Sequence, residues 1–99
     1  MKLIKIDKYT VMYSSNKFYP RIWLKKGKKW IGQLIFKPNG VKLPKDRKSG
    51  DSFNLYYHME EYPNAIDLLR NEKPMYLLWV GSSGENGIKT TDEIVGKKD

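Results

Sequence analysis

The sequence predicts an α+β domain: a curved antiparallel sheet of about six strands, in the order β-β-β-β-α-β-β, with one helix packed on one face. Three observations carry that expectation. Short runs with an apolar residue at every second position recur along the chain, as half-buried strands require. One run, residues 62–69, switches to helical spacing, and Tyr62, Ala65, Ile66 and Leu69 form an apolar stripe. Clusters of glycine, proline, serine and asparagine punctuate the runs as turns do.

Residues 2–13 read as a first strand with a fault in it. Ile4 and Ile6 share one face, whereas Leu3, Tyr9, Val11 and Tyr13 share the other. The buried face is expected to switch near Asp7 and Lys8, at a bulge or because both faces are partly covered. Ser14-Ser15-Asn16-Lys17 is a turn signal. Residues 18–26 form a second strand, with Ile22 and Leu24 pointing one way and Tyr19, Arg21, Trp23 and Lys25 the other. Pro20 sets its start just beyond the ring or runs it along an edge. Lys26-Gly27-Lys28 is a tight hairpin turn in which Gly27 is free to take positive φ. Residues 30–37 are an internal third strand, with Trp30, Leu34 and Phe36 on one face and Ile31 and Ile35 on the other. Residues 38–51 make a long connection bearing Lys42, Lys45, Arg47 and Lys48; connections of that length are often functional or mobile.

The stretch 53–80 organises the rest. Phe53, Leu55, Tyr57 and Met59 alternate on one face of a strand. A helix follows over residues 63–71. Pro63 suits its first turn, Asn71 is suited to the left-handed conformation that closes a helix, and Pro74 forbids continuation. Residues 75–80 are apolar on both faces and read as a central strand. A serine-glycine loop over residues 81–87 leads to a short last strand, 88–91, and a polar tail, 92–99.

Ninety-nine residues make one domain, 1–99, with a modest core. Without cysteine there is no disulfide framework and no thiolate metal site. The start lacks the apolar run of a signal peptide, and no stretch approaches the ~18 apolar residues of a membrane span. A soluble, cytoplasmic protein without a membrane partner is the expectation. The net charge of +8 hides an asymmetry: residues 1–50 hold 14 Lys or Arg against 2 acids (+12), and residues 51–99 hold 5 against 9 (−4). A basic half favours phosphates or another acidic surface, although lysine also keeps small β-rich proteins soluble.

Chemistry has few footholds. His58 is the one histidine, and beside Glu60 and Glu61 it is the sole general-base candidate; a lone strand histidine is more often simply hydrogen-bonded. Metal binding would need more than one histidine and two glutamates at this spacing. The 81–87 loop lacks the lysine motif and the following helix of a phosphate cradle. The expectation is therefore no enzyme, no cofactor and no metal.

The sharper constellation is Tyr19, Arg21, Trp23 and Lys25 on one strand face, with Lys26, Lys28 and Lys29 in and after the turn. Aromatic faces stack on unpaired bases while neighbouring cations follow the backbone. The alternative is that these rings are covered by another layer or a partner.

The segment 56–74, together with residues 85–91 and 93–96, resembles a group of small uncharacterised bacterial proteins; the resemblance covers the C-terminal half and implies no catalytic residues. Strands running into one helix are also similar, at fold level, to Whirly and transcriptional-coactivator single-stranded-DNA-binding domains, which implies nucleic-acid binding. The chain departs from that pattern by a strand pair after the helix.

The sequence thus leads to a non-enzymatic module that binds single-stranded nucleic acid. Tyr19, Trp23 and Tyr13 would stack, and Arg21, Lys25, Lys26, Lys28, Lys29, Lys45, Arg47 and Lys48 would hold phosphates. The alternative is a protein-interaction module, an immunity or accessory factor or a homo-oligomer closed through sheet edges. It would meet an acidic partner through Trp23, Trp30 and the 38–51 connection.

Overall fold

The computed structural model describes residues 1–16, 19–92 and 95. Eight strands and one helix follow in the order β1 (Lys2–Ile6), β2 (Lys8–Met12), β3 (Arg21–Lys26), β4 (Lys29–Lys37), β5 (Arg47–Ser49), β6 (Ser52–His58), α1 (Tyr62–Asn71), β7 (Met75–Trp79) and β8 (Gly87–Lys89). A turn of 3-10 helix, Met59–Glu61, joins β6 to α1. Phe18 and Lys17, expected at a strand start and in a turn, lie outside the described residues, as does most of the tail.

The α+β class stands, but the single six-stranded antiparallel sheet does not. The strands form two sheets, β1-β7-β8 and β2-β3-β4-β6-β5. The second sheet is mixed, because β4 and β6 run parallel, pairing Gly32 with Phe53 through Lys37 with His58. The fault at Asp7 is larger than a bulge. The chain leaves one sheet there and enters the other, so β1 pairs with β7 and β2 with β3. Asp7 fixes the crossing from both ends: its N–H donates to the Lys25 carbonyl at 2.8 Å, and its Oδ2 accepts from the Gly27 N–H at 2.8 Å. Gly27 takes φ 61° in the two-residue turn between β3 and β4, as the sequence leads one to expect.

The core lies between the inner faces of the sheets. Ile22, Leu24, Leu34, Phe36, Phe53 and Leu55 face Ile6, Met75 and Leu77, and α1 adds Ala65. Phe53 meets Trp79 at 4.9 Å and Phe36 meets Tyr62 at 5.1 Å between ring centroids, so both the small sheet and the helix close on the same side. Tyr57 also faces inward. Its hydroxyl accepts from the Ile88 backbone, and burial, helped by Asp46, pushes its pKa up to about 12.

Three further expectations are corrected. The register shifts between Leu24 and Lys25, so β4 carries one extra residue there. Ile31 consequently joins Leu34 and Phe36 in the core, and Trp30 moves to the face of Gln33 and Ile35. Asn71 does not close the helix in a left-handed conformation: it stays helical, with its side-chain amide donating to Asp67, and Glu72 turns extended. Finally, the 38–51 connection contains β5 and runs antiparallel along β6. His58 Nε2 lies 2.7 Å from the Val41 carbonyl oxygen, Asn39 Oδ1 accepts from the Glu60 N–H, and Asp46 Oδ1 accepts from the Tyr56 N–H.

Candidate nucleic-acid interface

Alternation on β3 puts Ile22 and Leu24 in the core and therefore turns Arg21, Trp23 and Lys25 to the other face. The bulge adds Trp30 to that face, and the registers add Thr10 from β2, Gln33 from β4, Asn54 from β6 and Arg47 from β5. The helix and the small sheet both lie on the opposite side; this face is closed over Ile35 and Asn54, at 6% and 9% exposed, and more open around Trp23 and Trp30.

Its centre is an aromatic pair. Trp23 and Trp30 meet edge to face, with centroids 6.3 Å apart and planes at 66°. Lys25 Nζ sits 4.6 Å from the Trp30 ring centroid. The two indoles, Gly32, Gln33 and Ser52 line a shallow recess of about 370 Å³. Beside it a polar line crosses three strands. Arg21 Nη1 donates to Gln33 Oε1 at 3.2 Å, and Gln33 Nε2 donates to Asn54 Oδ1 at 3.1 Å. A guanidinium has only donors, so Arg21 fixes the orientation of both amides in turn. Burial draws the Arg21 pKa down from its ordinary value, opposed by the charge interaction with the Tyr56 phenol oxygen.

Tyr19 lies just before β3, with Lys37 Nζ 4.1 Å from its ring centroid and its carbonyl accepting from Arg21 Nε. Tyr13 is elsewhere. It is exposed, meets Tyr62 of the helix edge to face at 6.1 Å, and shares the side of Tyr9 and Val11 rather than that of Trp23.

The expected cations do not share one face. Arg21, Lys25 and Arg47 share the Trp face by register. Lys26 and Lys29 pair across the hairpin and line a recess with Lys2, Asp7 and Asp51 at the end of the molecule. Lys29 Nζ approaches Asp51 at 3.9 Å. Lys48 pairs with Phe53 and so takes the inner side at the sheet edge. Lys28 and Lys45 are exposed, at the hairpin tip and in the connection.

Gln33 and Asn54 are the site residues that the sequence reading missed. Their signal was present: single amides at alternate positions of otherwise apolar strands. Among the described residues no group of three histidine or acidic side chains is placed to hold a metal ion, and His58 is engaged with Val41. No described helix is long and apolar enough to cross a membrane. No protein-family model matches the chain, and comparison with curated proteins and with solved structures gives no match.

Proposed function

We propose that the protein is a non-enzymatic module that binds single-stranded nucleic acid on the outer face of its five-stranded sheet. The observation that carries this reading is the Trp23–Trp30 pair on the sheet face turned away from the helix and the small sheet, with Lys25 against one ring and Arg21 and Arg47 on the same face. Stacked bases would lie on the indoles, and Tyr19 would extend the platform. Arg21, Lys25 and Arg47 would follow the phosphates; Lys26, Lys28, Lys29, Lys45 and Lys48 would add a diffuse attractive field from the flanks. The test is Trp fluorescence titration with a 12-nucleotide single strand at two salt concentrations. Three phosphate contacts imply a log–log salt slope of about −2. Absence of binding at low salt overturns the reading.

A protein partner on the same face is the second reading. It is favoured by the 38–46 segment, which three hydrogen bonds hold in place beside β6, and by the half-exposed ring of Trp30, since aromatic anchors dominate interfaces. Binding of a protein that persists after neutralisation of Lys25 and Lys28 would select it.

A further inference from the structure

A second surface lies away from the tryptophan face, where β2 runs beside α1. β2 is the outer strand of its sheet and pairs only with β3 among the described residues. The other margin of that sheet is occupied by β5 and the 38–46 segment. Among the described residues the β2 margin has no such strand pairing. Val11, Met12 and Tyr13 are exposed along it at 39%, 38% and 65%. The helix supplies a facing wall and runs antiparallel to β2. Tyr62 at its start meets Tyr13, and residues 69–71 at its end line a groove with residues 5–9.

That groove has a volume of about 770 Å³. Ile6, Leu69 and Met75 give it an apolar floor, and Lys5, Lys8, Arg70 and Lys73 stand around it. Two acids, Asp7 and Glu72, also line it, and Asp7 is held by the Gly27 N–H. A strand margin with unpaired N–H and C=O groups, facing a helix across an apolar floor, is the arrangement that accepts an added strand.

We infer that this groove binds an extended acidic peptide segment, which adds to β2 as a further strand between β2 and α1. Backbone hydrogen bonds to β2 supply the alignment. Apolar side chains at alternate positions enter the groove beside Tyr9, the acidic side chains between them take the side of Lys8, and an acidic end of the segment meets Arg70 at the helical wall. A second copy of this chain is the poorer occupant, because it would bring a molecule of net charge +8 against this basic margin.

The test uses the acetylated, amidated peptide Glu-Val-Glu-Val-Glu-Val-Glu and isotope-labelled full-length protein. Amide resonances of residues 8–12 and 69–71 should move, and amides of β2 should gain protection from hydrogen exchange. Two controls separate pairing from charge. The same peptide N-methylated at alternate residues keeps its charge and loses strand pairing; it should bind at least about tenfold more weakly. A Lys8→Glu/Arg70→Glu variant, shown folded by its spectrum, should lose on the order of tenfold in affinity. Equal binding of the methylated peptide overturns the proposal, as do shifts spread over every lysine-bearing surface or a dimer formed through β2. So does an oligonucleotide that shifts residues 8–12 where the peptide does not.

Discussion

The inner face of the five-stranded sheet carries Ile22, Leu24, Leu34, Phe36, Phe53 and Leu55, each at most 1% exposed. The outer face of the same strands carries Arg21, Trp23, Lys25, Gln33 and Asn54. One set is apolar and sealed by a second sheet and a helix. The other is aromatic, cationic and amide-rich, and among the described residues neither the second sheet nor the helix packs over it, although Ile35 and Asn54 on it are buried. Since the pleat sends neighbouring residues to opposite faces, stability and the proposed ligand chemistry are assigned to interleaved residues that act through separate contacts. The two functions should therefore respond to different substitutions.

The largest effect is expected from the inner face. Phe53→Ala should cost about 3–5 kcal/mol in chemical denaturation, from lost burial and the cavity left behind, while the surviving folded protein binds an oligonucleotide unchanged. Gly32→Ala strikes the same layer, since a Cβ there would lie 2.5 Å from the Phe53 carbonyl oxygen; overpacking of about 1–3 kcal/mol should appear in the same assay. On the outer face the pattern inverts. Trp23→Ala should weaken single-strand binding by about 1–3 kcal/mol, the contribution of a stacked base, with a smaller change in unfolding free energy. If Trp23→Ala unfolds the protein as readily as Phe53→Ala does, the division between faces fails.

Tyr57 sharpens the comparison through pH. Its phenol is buried on the inner side with its pKa raised from 10.0 to about 12. The folded state therefore favours the neutral form. The stabilisation is complete below pH 10, where the unfolded chain also keeps the proton, and is lost as pH climbs towards 12. Denaturation midpoints should fall over that window, and Tyr57→Phe should flatten the decline. The smallest effect belongs to the hairpin flank. Lys29→Ala removes an ion pair between largely exposed groups and should change stability by less than about 0.5 kcal/mol.

Much of this fold was legible from residue spacing. The β3 alternation, the Gly27 turn, the 62–71 helix and the apolar run at 75–79 all carry strong local signals, and each is found where spacing puts it. What escaped depends on partners distant in sequence. Arg47-Lys48-Ser49 has no apolar residue to announce a strand, and β5 exists because β6 has an edge to fill. The parallel pairing of β4 with β6 has no local marker, since either orientation buries Leu34 and Leu55. Strict alternation sets Trp30 on the face of Leu34 and Phe36, because it counts through a bulge that only the β3 partner imposes. For the candidate site, the rings and cations of β3 were readable, whereas the Arg21–Gln33–Asn54 line requires three strands to be neighbours.

The passage of the chain at Asp7 from one sheet to the other bears on how the molecule comes apart. A force applied at the N-terminus first shears β1 from β7, and every newton then reaches β2 through a single residue whose carboxylate also grips the tip of the β3–β4 hairpin. On this N-terminal path the two sheets are thus loaded in series, through one residue and its clasp. Cutting that clasp with Asp7→Ala should let them yield at different loads.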